Sequence, residues 1–112
     1  MAPLSIGAVT EEDLSRRIAD HAGWLNSGGK EGGRAHFRSW NLRYSNLFMA
    51  RLERADLAGA DLRHANAQWA NFSGADLSRA NLRGANLDRA VADRNTIWPE
   101  GFDPKAAGVI FY

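Results

Sequence analysis

Between residues 35 and 97 the apolar positions recur every five residues. Stepping from Phe37 gives Phe37, Leu42, Leu47, Leu52, Leu57, Leu62, Ala67, Phe72, Leu77, Leu82, Leu87, Ala92 and Ile97. Two positions earlier stand Ala35, Trp40 and Ser45, then alanine at every fifth residue from Ala50 to Ala90. A helix cannot use this pattern, because five residues overshoot one turn by about 140° and smear the leucines around the axis. A flat strand fails as well, since an odd period sends successive leucines to opposite faces.

Inside each five, the order small, polar, large is a two-residue alternation with the polar residue outward. The other two residues must turn a corner, and Gly59, Gly74 and Gly84 fall there. A chain that makes a short side, turns and repeats coils into a solenoid, each coil hydrogen-bonding to the next. The register reads as unbroken from 35 to 97. Four sides per coil would stack residues twenty apart at about 4.8 Å and give about three coils. The period alone leaves the number of sides open.

The motif A(D/N)LXX, present as "ADLAG", "ADLRH", "ADLSR", "ANLRG" and "ANLDR", resembles the pentapeptide-repeat family. That resemblance implies a mainly β fold, a right-handed quadrilateral β-helix with leucine or phenylalanine at the interior centre and alanine beside it. Ala67 and Ala92 depart from it at leucine positions, and Arg51 and Val91 replace the usual polar residue. Small residues at those centres leave voids or room for neighbours, so weaker coils are expected there.

An open stack exposes unpaired edges that need covers. Residues 10–27 predict a capping helix: Thr10 and Asp13 make a capping-box-like start, acidic residues fill the first turn, and Gly28-Gly29 is a stop. Leu14, Ile18, Ala22 and Leu25 form its apolar stripe. Trp40 is too large for an interior alanine position unless the first coil is splayed under a helix carrying Trp24. His21, inside the stripe, reads as a buried histidine bonded to a backbone group. "HAGWLNSGGKEGGRA" also resembles the helical lead-in of many bacterial pentapeptide-repeat proteins. Beyond Pro99 and Pro104 the rhythm breaks. The tail Val109, Ile110, Phe111 and Tyr112 either folds over the last coil or makes a two-fold contact with a second copy. The chain therefore divides into an N-terminal segment with its helix (1–34), a β-helix (35–98) and a C-terminal cap or dimerisation tail (99–112).

Composition narrows the chemistry. The chain has 112 residues, a formal charge of +1 and no cysteine. That is one small domain, with no disulfide, thiolate or cysteine-ligated metal. The N-terminus has no signal-peptide pattern and no long apolar run follows, which reads as a cytoplasmic protein away from membranes. His21, His36 and His64 are scattered, without metal-site spacing. Asp56 and Asp76 stack as neighbours, but as the outward residues this repeat requires everywhere. The glycines of "SGGKEGGRA" match neither a P-loop nor a dinucleotide site. No catalytic residue, cofactor or metal is expected.

Function then falls to the outer columns. One repeats Arg43, Arg63 and Arg83, flanked by Tyr44, His64 and Gly84. Stacked guanidinium groups repel by about 1 kcal/mol in water-like surroundings, so the ladder is either a site for phosphates or an acidic surface, or a solvated face. The next column carries Phe48 with Met49, then Gln68 with Trp69, then Asp88 with Arg89. Phe48, Met49 and Trp69 are expected either as an exposed apolar patch or packed beneath a terminal segment. Some relatives imitate duplex DNA to bind gyrase, which needs a negative surface. Residues 35–98 carry nine arginines against six acids, net +3, which disfavours that mechanism. The expectation is a non-enzymatic bacterial module that binds an unidentified protein as an inhibitor or regulator of a nucleic-acid machine, anti-CRISPR-like or gyrase-modulating roles included. The alternative is direct nucleic-acid binding through Arg43, Arg63 and Arg83.

Overall fold

The computed structural model describes residues 10–112; residues 1–9 of the expected N-terminal segment lie outside the described residues. Helix α1, Glu11–Asn26, starts at the N-cap Thr10, whose Oγ1 accepts the Asp13 N–H at 3.1 Å. It stops at Ser27 and Gly28-Gly29, both glycines at positive φ. Leu14 and His21 are buried, and Ile18 packs on the core. The helix lies across the lower end of the coils.

From His36 upward the chain is a ladder of single-residue parallel bridges between positions twenty apart. His36 pairs with Asp56 and Asp56 with Asp76; Asn41 with Asp61 and Asp61 with Asn81; Asn46 with Asn66 and Asn66 with Asn86; Arg51 with Asn71 and Asn71 with Val91. Four bridges fall within each twenty residues, so each coil has four sides. Phe37, Leu42, Leu47, Leu52, Leu57, Leu62, Phe72 and Leu77 are fully buried between the alanines.

Five backbone N–H groups must find partners in every pentad, and their accounting explains the motif. Taking Leu42 as a centre, its N–H donates to Asp61 O, Tyr44 N–H to Arg63 O, and Ser45 N–H closes the corner on Leu42 O. The outward residue of the next coil reaches down, as Asp61 N–H does to Trp40 O. Only the first corner residue lacks a backbone acceptor. Its N–H goes to the side chain two residues back: Arg43 to Asn41, Phe48 to Asn46, Gln68 to Asn66, Ser73 to Asn71 and Asp88 to Asn86, at 2.9–3.2 Å. Aspartate and asparagine share that oxygen, which is why either serves. Where Val91 stands instead, Asp93 N–H turns to Thr96 Oγ1.

The second corner residue takes positive φ at every step from 39 to 89. Three are glycine, and eight are not: Ser39, Tyr44, Met49, Arg54, His64, Trp69, Arg79 and Arg89, with φ of 58–63°. A positive φ at this place with a closed four-residue turn is the type II signature. Glycine is thus no requirement of the corner.

The unbroken register expected to Ile97 is corrected at the top. Asp76 bridges to Ile97, twenty-one residues on, so the chain gains one residue after Ala92. Thr96 N–H closes on Asp93 O, a turn shifted by one from the pentad rule, and Thr96 Oγ1 donates to Phe72 O at 2.9 Å. Ile97 is consequently exposed in the outward position, while Trp98 turns toward Phe72 and stacks on Phe102. The tail closes one further side. Strand β1, Val91–Ala92, pairs in parallel with β2, Ile110–Phe111. Val109 is buried beside them.

Candidate interaction surface

The column 43, 63, 83 is vertical: Tyr44 N–H donates to Arg63 O and His64 N–H to Arg83 O. The three guanidinium groups are not equivalent, however. Arg63 donates to both carboxylate oxygens of Asp61, at 2.9 and 2.7 Å. That fork holds the Asp61 carboxyl below the usual carboxylate range. Among the described residues, Arg43 and Arg83 have no ion-pair partner. The sequence carried a signal for the pairing, an acid on the outward position two residues before a corner arginine.

Beside this column Tyr44 and His64 stack, with centroids 4.9 Å apart and planes 18° from parallel, and the Arg43 guanidinium lies near the Tyr44 ring. Above the stack's open end sits Gly84. A Cβ there would come within 2.5 Å of His64 Nδ1, so the imidazole occupies the space glycine leaves. Close approach, and not φ alone, is what calls for glycine here.

Across the next side stand Phe48, Met49 and Trp69, exposed by 48, 63 and 46 %. Arg89, from the coil above, lies 5.2 Å from the Trp69 ring centroid. Arg89 was not singled out among the site residues, although twenty-residue stacking places it next to Trp69. Phe48 and Met49 line a shallow groove against α1 with Ser15, Ile18, Ala19 and Ala22. The patch is half exposed, and its lower end borders the helix. The tail lies above Arg89, where Gly108 O accepts the Arg89 N–H.

Trp40 meets helix α1 at Arg17. Its ring packs edge-on against Phe37 under the guanidinium of Arg17, and Trp24 stacks on His21 beneath Arg54. His21 joins the helix to the first coil. Its Nδ1 accepts the Ala35 N–H at 2.9 Å, which makes Nε2 the protonated nitrogen donating to Glu53 O at 2.7 Å. Burial lowers the His21 pKa against opposing contributions from Glu53. Of the tail residues, Val109 is buried, Ile110 and Phe111 are partly exposed on the outermost strand, and Tyr112 is exposed.

Among the described residues no three His, Asp or Glu side chains are placed to hold a metal ion. No described helix is long and apolar enough to cross a membrane.

The profile of pentapeptide repeats matches residues 50–89 in eight copies. Residues 50–89 of this chain are pentapeptide repeats. Two solved structures are similar to it. One is a pentapeptide repeat protein from Nostoc Pcc 7120, 28% identical, with a TM-score of 0.47, covering 85% of this chain and 95% of its own. The other is a pentapeptide repeat protein from the cyanobacterium Cyanothece 51142, 35% identical, with a TM-score of 0.49, covering 57% of this chain and 47% of its own. No curated protein matches the chain.

Proposed function

We propose that this chain is a non-catalytic interaction module of the bacterial cytoplasm, built as a right-handed quadrilateral β-helix of about three coils. Its partner is another protein, and its role is to inhibit or regulate a nucleic-acid-processing machine. The observation that supports this is the exposure of Phe48, Met49 and Trp69 on adjoining rungs, continuous with the groove along α1. Exposed aromatic and methionine side chains are enriched in the cores of protein interfaces. Pull-down from a bacterial lysate with the wild-type protein and with a folded Phe48→Ser/Met49→Ser/Trp69→Ala variant tests it. Retention of every captured protein by the variant would overturn the reading.

A second reading is direct nucleic-acid binding through the Arg43, Arg63 and Arg83 column. The stacked Tyr44–His64 pair and the unpaired Arg43 and Arg83 support it. Self-association is proposed through the C-terminal end, where β2 pairs on one side only and Ile110, Phe111 and Tyr112 are exposed. Gel filtration over a concentration series separates a monomer from that dimer.

A further inference from the structure

The side carrying Asn46, Asn66 and Asn86 differs from the other three. Its outward residues are all asparagine, stacked in one ladder. Each Oδ1 is taken by a corner N–H, so each exposed amide presents its NH₂ group outward. The two corner columns flanking this side carry Tyr44, His64 and Gly84 on one edge and Met49, Trp69 and Arg89 on the other. The remaining corner columns carry Ser39, Gly59 and Arg79, and Arg54 with Gly74.

Backbone strain makes that distribution informative. Left-handed φ disfavours side chains with a Cβ, and glycine meets the requirement freely. Yet the rings of Tyr44, His64 and Trp69 sit at left-handed corners, and all three border this one side. Bulky aromatic residues held in a sparsely populated conformation mark sites where the side chain matters.

We propose that this side is a platform for single-stranded nucleic acid; the inference rests on the nucleic-acid reading above and narrows it. Bases stack on the Tyr44–His64 pair and on Trp69, while phosphates meet Arg43 and Arg83. Charge complementarity supports that occupant: the acids near this side are Asp61, held by Arg63, and Asp88, against Arg43, Arg83 and Arg89. The engaged state of Arg63 decides between single strand and duplex. A duplex offers mainly its phosphates, and with Arg63 occupied the column keeps two cations, two rungs or about 10 Å apart. A single strand adds unpaired base faces, for which exposed rings are the matching surface.

Fluorescence anisotropy with a fluorescein-labelled twelve-nucleotide oligothymidylate, competed by an unlabelled duplex of the same length, tests the proposal. Binding at about 20 mM salt should weaken with a log–log slope of about −1.4 to −2, the value for two or three phosphates on a single strand. Trp69→Ala and Tyr44→Ala should each weaken binding about five- to a hundredfold. Asp61→Asn keeps the turn acceptor while releasing Arg63, so it should tighten binding and steepen the slope by about 0.7. Circular dichroism and thermal melts establish that each variant is folded. Duplex binding tighter than oligothymidylate, unaffected by the ring substitutions, overturns the single-strand platform and leaves the arginine-column reading standing. No association of either nucleic acid at low salt overturns both. An oligonucleotide bound equally well by the folded Trp69→Ala and Tyr44→Ala variants also overturns the platform.

Discussion

His21 is the point at which acid should loosen the helix from the coils. The ring is fully buried, and both nitrogens are committed to backbone groups of different parts of the chain. Protonating Nδ1 would set a second N–H against the Ala35 N–H, so the native state holds the neutral ring and the pKa is lowered from 6.5, chiefly by burial. Glu53, Arg34 and Arg54 surround it, the acid favouring the cation and the arginines opposing it. The sign follows directly. Between the lowered native pKa and 6.5 the unfolded chain binds the extra proton, so stability is complete above that window and is lost as pH falls through it. The limiting slope for one proton is about 1.4 kcal/mol per pH unit. His21→Gln offers an amide that can keep a donor and an acceptor without titrating. Urea unfolding from pH 7.5 to 5 should show the slope in the wild type and lose it in His21→Gln. His21→Ala should lose stability at every pH by about 2–5 kcal/mol, because two buried backbone groups lose their partners and the ring leaves a cavity. An unchanged slope in a folded His21→Gln protein would refute the argument.

Four further outcomes follow from the same geometry. Gly84→Ala should destabilise by about 1–2 kcal/mol in urea unfolding, since its Cβ meets His64 at positive φ, and should shift the His64 ring resonances off Tyr44. Asn71→Ala should cost about 1 kcal/mol and speed amide exchange of Ser73, whereas Asn71→Asp should keep that amide protected. Leu62→Ala, at a fully buried centre, should cost about 2–5 kcal/mol, measured by the midpoint of thermal unfolding. Asp61 and Asp76 are held below the usual carboxylate range by their bonds from Arg63 and Ser78, so a separate loss of stability should appear as pH falls below about 4; Asp76→Asn should shrink it.

The coil was legible because its signal is redundant. A five-residue period repeated across the chain survives Ala67, Arg51 and Trp40, since neighbouring pentads dictate the same path. The capping helix was equally plain, with its start at Thr10 and its stop at the paired glycines. The extra residue after Ala92 was hidden for a physical reason. Ile97 is apolar and falls on the five-residue count, but Thr96 Oγ1 holds Phe72 O and its N–H closes on Asp93, which fixes the turn one residue late. Side-chain competition for a backbone group leaves no trace in a hydrophobic pattern. The state of Arg63 was obscured likewise, because arginine counts alone do not reveal which guanidinium is already forked to Asp61. The glycines marked where the corners fall, but not that eight of the corner residues from 39 to 89 carry a Cβ at positive φ.

The twenty-residue bridge has a geometrical consequence for how such a rod can change over time. Loss or gain of a whole coil alters its height by about 4.8 Å and leaves every upper surface at the same azimuth. Loss of one pentad instead turns everything above it by a quarter revolution, while leucine still lands on the axis. Surface chemistry can therefore be rotated relative to α1 without redesigning the interior, and only a change that is not a multiple of five needs a special turn like the one at Asp93–Thr96.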